Sequence, residues 1–550
     1  MWDAIEVGSG CTYTLTDTEI RNATRGLVLL PGNESSYIFH PNICKIQGCT
    51  FRDNRIGITV DYGVGTGSKL FLPSVFANNT FTSNGLHLLQ PIQAQFPEAA
   101  MVFNSCGLAV LPATNAYEMT RYGITSNLSL VVLYDGVFKN ITEDAVLADS
   151  STLHVQKTAF ENVGKMVTST HGRNLVVKNC NLKQGRKGGI YVDNTNTFQP
   201  RVLISVNNLS FEKVPTYAIS VERSPSTDLN MMKNQIDHDT ITVHGEHTVN
   251  SKLISITAPN GGEDKFPIRS NKITVDATLG AKNCHGIFIT NNASGYEVWE
   301  NKLYYNSTNP INNVQPANTV LSPNLGITFE NVNGLRNYIT LNEVYSTLFP
   351  NPWDEEAVSW MKCCYHFDQA TNLQICYNKG NHTYRCFHFS GNLSYCDFAR
   401  NTINEHYYGL HCAKQPGSPN TDMGPQSWHE NKWLTTPNSY QYFSAQHRDF
   451  LGGNTPFKFR VYPSEPEQNP PGALLSPPKV TPFFWFLSVN PTPNDKENSK
   501  CVGETFEADD TLGTWDRNVI DGTYPYASAA QAWDMQRDLL AKLIARGFVA

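Results

Sequence analysis

A six-residue motif recurs along most of this chain: an apolar residue, two variable residues, an asparagine, one further residue and a second apolar residue. Copies lie at 76–81, 268–273, 298–303, 339–344, 398–403 and 428–433, with a partial copy at 375–380. The same step with another residue in place of asparagine occurs at 46–51, 155–160, 177–182, 206–211 and 236–241. Successive copies are about 22 to 41 residues apart, which is typical of solenoids. The repeat therefore predicts stacked coils, each built from two or three short strands.

Asparagine has two properties that suit a corner between strands. Its short side chain tolerates the left-handed backbone region better than bulky or β-branched residues do, so we expect asparagine to adopt that conformation at the bend. Its amide group also donates and accepts hydrogen bonds, so asparagines at one corner of successive coils can bond to one another. We therefore predict a ladder formed by Asn79, Asn271, Asn301, Asn342, Asn378, Asn401 and Asn431.

The asparagine at the turn, the recurring phenylalanines and the coil length together resemble the right-handed parallel β-helix of the pectin-lyase-like superfamily. The resemblance covers residues 1–450 and implies an all-β solenoid of about 14 coils, a rod roughly 65 Å long at ~4.8 Å per coil. This superfamily includes lyases, hydrolases, epimerases, phage tailspikes and adhesins. The resemblance therefore implies a fold and leaves the activity open.

Three segments, at 392–401, 408–412 and 424–428, resemble β-helix regions of large bacterial surface proteins that are exported by the type IX route. That resemblance implies an extracellular or cell-surface location. The composition agrees, because charged residues make up 17% of the chain and its net charge is -7, which is poorly suited to binding nucleic acid. We expect a monomer with no transmembrane segment, because no apolar run reaches the roughly 18 residues that a membrane span needs.

The composition changes after residue 450. Residues 451–500 are rich in proline and are predicted to form a linker or a covering strap, because paired prolines favour extended backbone. Residues 501–550 contain an acidic segment and then an amphipathic pattern at 528–545, which predicts a short C-terminal α-helix. The helix needs a partner for its apolar face, and the first coil begins with an edge that proteins usually cover. We therefore expect a fragment of a longer protein.

The chain has 13 cysteines, and six of them are clustered: Cys363, Cys364, Cys376, Cys386, Cys396 and Cys412. No Cys-x-x-Cys spacing occurs, which disfavours a structural zinc site. Two interpretations stay open for the cluster. The cysteines can fill the coil interior as small apolar residues, or they can form disulfides in an extracellular protein.

Motifs for catalysis are incomplete. Galacturonan hydrolases of the superfamily supply paired carboxylates from four motifs, of which Asn-Thr-Asp occurs in a loop at 420–422 and Asp-Asp lies outside the coils at 509–510. Pectate lyases use aspartates to hold calcium against the substrate and an arginine as the base, and the segment at 236–239 resembles part of their signature. The candidate catalytic residues are therefore Asp237, His238 and Asp239, with calcium as a possible cofactor if the protein is a lyase.

A metal site is a further candidate in the same coil. His244 and His247 are three residues apart near a turn and close in sequence to Asp237, which is a donor set that suits a metal ion. A solvent-facing turn also collects charged residues without binding anything, so this alternative stays open.

Aromatic residues are concentrated between positions 350 and 435. Tryptophan and tyrosine combine an apolar face with a polar tip, which suits sugar rings, although the same residues can fill a broad terminal coil. The candidate glycan-binding residues are Trp353, Trp360, Tyr407, Tyr408, Trp428 and Trp433.

Two classes of function remain. The first is a non-catalytic surface module that binds a polysaccharide, a surface glycan or a surface protein. The second is a polysaccharide lyase or glycoside hydrolase that acts on an acidic polysaccharide. We favour the first class because no complete catalytic motif is present.

Overall fold

The computed structural model of this chain describes the following residues: 3–8, 11–30, 44–61, 70–71, 75–83, 97–111, 114–172, 174–194, 201–212, 215–223, 235–244, 251–257, 266–277, 284–291, 295–307, 324–334, 337–346, 361–412, 431–434, 443–447, 459–461, 475–476 and 486–488. Within these ranges, β-strands joined by turns are the regular elements, and no helix occurs. The all-β class predicted from the repeat is confirmed for this part of the chain.

Most strands belong to three large parallel sheets. Within the described residues, sheet 1 has 17 strands: Ile5–Val7, Arg25–Leu29, Ile56–Asp61, Ala99–Asn104, Tyr122–Asn127, Asp144–Asp149, Lys165–Thr170, Gly188–Asn194, Tyr217–Arg223, Ser251–Thr257, Cys284–Thr290, Asn324–Glu330, Met361–Asp368, Thr383–Ser390, His406–Cys412, Phe443–His447 and Leu475–Ser476.

Sheet 2 has 15 described strands: Glu19–Arg21, Thr50–Arg52, Thr80–Thr82, Ala116–Glu118, Val137–Lys139, Ala159–Glu161, Asn181–Lys183, Asn208–Phe211, Thr240–His244, Lys272–Ala277, Lys302–Ser307, Glu343–Ser346, Lys379–Asn381, Thr402–Asn404 and Lys432–Leu434. Sheet 3 has 12 described strands: Leu70–Phe71, Leu108–Leu111, Leu130–Tyr134, Thr152–Gln156, Asn174–Lys178, Arg201–Ser205, Gln235–Asp237, Phe266–Arg269, Tyr296–Trp299, Asn337–Thr340, Leu373–Cys376 and Asp397–Ala399. Smaller sheets contain Tyr13–Thr16, Cys44–Gln47 and Val75–Ala77, and Phe459–Val461 with Phe486–Ser488.

The chain visits the three sheets in a fixed order. One coil runs through Leu130–Tyr134 in sheet 3, Val137–Lys139 in sheet 2 and Asp144–Asp149 in sheet 1, and Thr152–Gln156 then returns to sheet 3. Each strand pairs in parallel with the equivalent strand of the next coil. This solenoid-like stack is consistent with the parallel β-helix that the sequence predicts.

Inward-facing side chains form one continuous core along the stack. In sheet 2 the aromatic rings at the second apolar position of the motif lie one above the next, with centroids 4.8 Å apart for Phe51 and Phe81 and 5.1 Å apart for Phe138 and Phe160. Tyr117 continues the same stack at 5.2 Å from Phe81. Because side chains alternate between the two faces of a strand, the residues between these core positions face outward.

The seven asparagines of the predicted ladder are all buried, and each lies directly before a strand of sheet 2. Asn301 shows the pattern: its Nδ2 donates to Asn342 Oδ1 at 2.9 Å and to the main-chain oxygen of Ile268 at 2.7 Å. Its Oδ1 accepts from the main-chain nitrogen and Nδ2 of Asn271. Every polar atom of the amide therefore has a partner, which a buried amide requires to avoid a desolvation penalty.

The predicted backbone conformation of these asparagines is wrong. None of the six from Asn79 to Asn401 has a positive φ; the left-handed residue is instead the one that precedes each of these six. The residue before Asn431 lies outside the described residues. These preceding residues include Asn78, Ser270, Glu300, Leu341, Tyr377 and Arg400, with φ between 53° and 57°. The asparagine is therefore required for its side-chain hydrogen bonds and not for its backbone freedom.

The chain divides into two compact units, Met1–Pro491 and Thr492–Ala550. Within the segment predicted as a proline-rich linker, Phe459–Val461 pairs in parallel with Phe486–Ser488. The amphipathic segment at 528–545 lies outside the described residues, so its helix stays a prediction. Among the residues that the structure describes, no helix is long and apolar enough to cross a membrane.

Candidate functional site

The three candidate catalytic residues lie at one corner of the stack but face different surroundings. Asp237 ends a strand of sheet 3, His238 occupies the left-handed turn position with a φ of 54°, and Asp239 precedes the strand Thr240–His244 of sheet 2. The turn therefore separates the two carboxylates that the sequence places two residues apart.

Asp237 forms an ion pair in this turn. Its Oδ2 lies 3.1 Å from His238 Nδ1 and 3.5 Å from Arg269 Nη2, and Arg269 occupies the paired position of the next coil. Burial raises the pKa of Asp237, but the hydrogen bond from His238 and the charge of Arg269 outweigh it, so the net pKa shift is downward. A carboxylate that His238 and Arg269 hold in its ionised form suits a structural role, and it is a poor general acid.

Asp239 takes a rung of the asparagine ladder. Its Oδ1 accepts from the main-chain nitrogen of Asn207 at 2.7 Å and from Asn207 Nδ2 at 3.0 Å, and its own main-chain nitrogen donates to Asn271 Oδ1 at 3.0 Å. The side chain is fully buried, and desolvation raises its pKa well above the ordinary value for aspartate. A carboxyl group in this place has no contact with a substrate that approaches from solvent.

The predicted metal ligands are distributed over two sheets. His244 ends a strand of sheet 2, where its Nδ1 lies 3.4 Å from Asp276 Oδ2 on the neighbouring strand, whereas Asp237 belongs to sheet 3. His247 lies outside the described residues. Among the residues described, no group of three or more His, Cys, Asp or Glu side chains is placed to hold a metal ion.

The structure describes the side chains of two of the six predicted glycan-binding residues, Tyr408 and Trp433. Trp353, Trp360 and Trp428 lie outside the described residues, and Tyr407 lies in the strand His406–Cys412 of sheet 1 with its side chain not described. Trp433 packs into the core at 4% exposure. Tyr408 is buried against Tyr384, with ring centroids 5.4 Å apart. The two described rings thus contribute packing at the end of the stack and offer little surface to a sugar.

A surface that the sequence did not single out lies on the outer face of sheet 1. We name it the tyrosine face and define it by Asp144, Lys165, Thr168, Tyr191, Tyr217 and Glu222. These residues come from four consecutive strands that pair in register, which brings together positions far apart in sequence. Neighbouring strands lie about 4.8 Å apart, so their outward side chains form one continuous surface.

The tyrosine face is organised by direct contacts. The rings of Tyr191 and Tyr217 lie 5.7 Å apart at their centroids, and the Tyr191 hydroxyl donates to Glu222 Oε1 at 3.2 Å. Gly188 lies beneath the Tyr217 ring, and a Cβ at that position would lie 2.7 Å from a ring carbon. Lys165 Nζ lies 3.6 Å from Asp144 Oδ1. The absence of a side chain at Gly188 therefore lets the tyrosine ring lie flat along the sheet.

Carboxylates give the tyrosine face a negative potential. Desolvation, Glu222 and Asp193 raise the pKa of Tyr191 to about 12. On the adjoining edge, the hydrogen bond that His171 donates to Asp149, followed by the charges of Asp149 and Asp193, raises the pKa of His171. Nearby carboxylates thus raise the pKa of both Tyr191 and His171, which indicates a negative potential over this part of sheet 1.

A second cluster lies farther along the outer face of sheet 1. We name it the carboxyl cluster and define it by Lys252, His285, Glu330, His366 and Asp368. Glu330 and Asp368 are paired residues on adjacent strands, and Ser390 Oγ donates to Asp368 Oδ1 at 2.6 Å. Lys252 Nζ lies 3.3 Å from the centroid of the Phe288 ring, against which the His285 ring also packs.

Burial shifts the pKa of every residue of the carboxyl cluster. Desolvation is the largest cause at every group: it raises the pKa of Glu330 and of Asp368 and lowers the pKa of Lys252. It also lowers the pKa of His285 to about 4 and that of His366 to about 3. Both imidazoles are therefore neutral at neutral pH, and the carboxyl pair holds its protons to higher pH than exposed carboxyls do.

The sequence contained one signal for these two clusters, which is the alternation of outward and inward residues within each strand. The alternation gives the face of each residue but not its neighbour across the coil. Tyr191 and Tyr217 come together only because the register pairs Gly188 with Tyr217 across a segment of variable length.

Core filling and disulfide formation, the two interpretations of the clustered cysteines, each apply to part of the cluster. Of the six clustered cysteines, Cys363, Cys364, Cys386, Cys396 and Cys412 are buried, as expected for small residues in the interior. Cys376 is disulfide-bonded. Core filling thus accounts for most of the cluster and a disulfide for one member.

Comparisons of the chain with protein-family models, with curated proteins and with solved structures find no match. The parallel stack and the two outer-face clusters are therefore the basis on which a function can be assigned.

Proposed function

We propose that this chain forms a right-handed parallel β-helix of about 14 coils that acts as a non-catalytic module outside the cell or on its surface. Its partner in this proposal is a polysaccharide or surface glycan, with a surface protein as the other possible partner. The proposal includes the pectin-lyase-like architecture and export by the type IX route. We propose that it acts as a monomer without a transmembrane segment.

The observation that carries the proposal is the pair Tyr191 and Tyr217 on the tyrosine face. Both rings are partly exposed on a rigid sheet, and Glu222 and Lys165 lie beside them. Aromatic rings stack against the apolar faces of sugars, while adjacent charged groups bond to the hydroxyls. This is the combination that a glycan-binding surface needs.

The scaffold supports such a role because it fixes the positions of outward residues. Every strand of sheet 1 in this region pairs with two neighbours, and the asparagine ladder hydrogen-bonds later coils together. Residues on rigid strands are held more precisely than residues on loops. The disulfide at Cys376 supports an extracellular location, since disulfides persist in oxidising compartments.

A glycan array with the intact chain and the variants Tyr191→Ala and Tyr217→Ala tests this function. We expect each variant to lower affinity for the bound glycan about fivefold, because each removes a stacking ring. Tyr304→Ala is the matched control, because Tyr304 packs against Tyr345 on sheet 2 in a comparable tyrosine pair. Retained binding in both sheet 1 variants, or equal loss in the control, would refute the assignment.

A second candidate function is favoured by the carboxyl cluster: a glycoside hydrolase or polysaccharide lyase that acts on an acidic polysaccharide. Paired carboxyls about 5 Å apart can divide the roles of acid and nucleophile, and Glu330 and Asp368 occupy adjacent paired positions. Lys252 would attract an acidic substrate. A calcium ion is a cofactor of this candidate only if the reaction is a lyase reaction.

Product analysis distinguishes the two functions. The chain is incubated with polygalacturonate and alginate, with and without calcium, and new reducing ends and unsaturated products are measured. Hydrolysis that disappears in Glu330→Gln and Asp368→Asn but persists in Asp276→Asn, a control on sheet 2, would establish the second candidate. Absence of both products, together with glycan binding, is the result expected for the favoured function.

A further inference from the structure

We propose that the tyrosine face, together with Asp193, binds a polysaccharide that carries free, protonated amino groups. This inference rests on the proposed function, because it names the class of glycan that the same face would take. The occupant is an amino-sugar polymer, and neutral or acidic glycans are the alternatives that the test must separate.

Charge complementarity is the first argument. Asp193 and Glu222 are paired residues at the same edge of sheet 1, and Asp149 lies two strands from Asp193 along the same row. Asp144 adds a further carboxyl to the face, against one lysine, Lys165. Such a row repels a polyanion and attracts a polycation at moderate ionic strength.

The aromatic rings provide the second argument. An ammonium group is attracted to the face of a tyrosine ring, and the attraction is strengthened when the site is partly shielded from water. Tyr191 lies between Lys165, whose Nζ is 5.9 Å from the ring centroid, and Glu222, whose Oε1 accepts from its hydroxyl. Rings next to carboxylates thus bind the charge of an amino sugar and stack on its apolar face.

Lys165 shows that an ammonium group fits on this surface. Its Nζ contacts Asp144 Oδ1 at 3.6 Å and lies within range of the Tyr191 ring, so one carboxylate and one ring already surround a cation of the chain. The Lys165 side chain is 31% exposed, so the surface is reached by solvent. Asp193, one strand from Lys165, and Glu222, two strands from it, extend the same arrangement towards a ligand.

The experiment uses glucosamine oligomers and N-acetylglucosamine oligomers of equal length as probes of the intact chain, measured by isothermal titration calorimetry. At mildly acidic pH the glucosamine amines are protonated and ordinary carboxylates stay ionised. We expect the glucosamine oligomer to bind more tightly than its acetylated counterpart, with affinity that falls as salt is added.

The variants Glu222→Gln and Asp193→Asn then test the named carboxylates. Glutamine keeps an acceptor for the Tyr191 hydroxyl and removes only the charge, so we expect about threefold to tenfold weaker binding of the glucosamine oligomer. Glu161→Gln is the matched control, because Glu161 lies on sheet 2 beside Lys139 and Lys183. Thermal unfolding of each variant checks that the fold is retained.

The outcomes separate this inference from the function on which it rests. Equal affinity for acetylated and free-amine oligomers, or unchanged affinity in Glu222→Gln and Asp193→Asn, would overturn the amino-sugar inference. If Tyr191→Ala still weakened oligomer binding in that case, polysaccharide binding at this face would stand. If no oligomer and no glycan on the array bound, both the inference and the proposed function would fail.

Discussion

Asn207 donates two hydrogen bonds to one oxygen of Asp239: its main-chain nitrogen lies 2.7 Å from Oδ1 and its Nδ2 lies 3.0 Å from the same atom. Oδ2 of Asp239 takes the place that Nδ2 has in the asparagine rungs, and it has no hydrogen-bond partner among the described residues. In the rungs on either side, Nδ2 donates to a main-chain oxygen, Val177 for Asn207 and Ile236 for Asn271. Because that place calls for a donor, we infer that Asp239 keeps its proton and donates from Oδ2.

The variant Asp239→Asn should be more stable than the natural chain, by an amount that grows with pH. The pKa of Asp239 is raised in the folded state, so above an unfolded pKa of about 3.9 folding must take up a proton. Stability of the natural chain therefore falls by about 1.4 kcal/mol per pH unit until the folded pKa is reached. Urea midpoints measured from pH 4 upward check this, and parallel curves for the two proteins would contradict it. The reverse change, Asn301→Asp, should introduce the same slope.

Removal of one ladder amide should destabilise the stack strongly. In Asn342→Ala, the main-chain nitrogen and Nδ2 of Asn301 lose their acceptor, and the main-chain oxygen of Val298 loses a donor. Unsatisfied buried groups cost about 1–3 kcal/mol each, so we expect a loss of several kcal/mol. Thermal unfolding measures it. Asn208→Ala, at an exposed position of sheet 2, is the control and should change the midpoint little.

Val206 should be replaceable with a gain in stability. It is 48% exposed and has a φ of 57°, a conformation that is strained for a β-branched residue. Val206→Asn keeps a residue that tolerates this conformation and removes an exposed apolar group, so we expect a gain of about 1 kcal/mol. Leu341→Asn, at the equivalent turn with a φ of 56°, should behave alike. An unchanged or lower melting temperature in both variants would show that the turn is not strained.

The negative potential over sheet 1 can be measured at His171. Its Nδ1 lies 2.8 Å from Asp149 Oδ1, and this hydrogen bond is the largest cause of its raised pKa. Asp149→Asn should lower the pKa of His171 towards its ordinary value, and Asp193→Asn should lower it less, because Asp193 acts through its charge alone. Titration by NMR provides the readout. A His171 pKa that did not respond to Asp149→Asn would remove the evidence for this potential, whereas Glu161→Gln should leave it unchanged.

The scaffold was predictable from the sequence because its repeat encodes a local requirement. An asparagine such as Asn342 must lie at one corner to satisfy buried backbone groups, so the motif marks both the corner and the stacking of coils. The left-handed position was misassigned because Leu341 and Tyr377, which have that conformation, belong to no residue class that usually favours it.

The outer-face clusters could not be predicted in the same way. Glu330 and Asp368 are neighbours through the strand register, although 38 positions separate them in sequence, and intervening segments differ in length from coil to coil. Asp237, His238 and Asp239 are adjacent in sequence, yet Asp237 forms an ion pair with Arg269 at the turn whereas Asp239 joins the buried ladder. Sequence proximity within a turn therefore gave a misleading picture of which groups act together.

The asparagine ladder also has an electrical direction. From Asn271 through Asn301, Asn342 and Asn378 to Asn401, each Nδ2 points towards the Oδ1 of the next coil, so the amide dipoles are aligned head to tail. Aligned peptide dipoles add along a helix, and hydrogen bonds in a chain polarise one another. The corner between sheets 3 and 2 should accordingly carry a field along the stack axis, with its positive end towards the later coils. A protonated Asp239 places no net charge within that alignment, whereas an ionised carboxylate would disturb it locally.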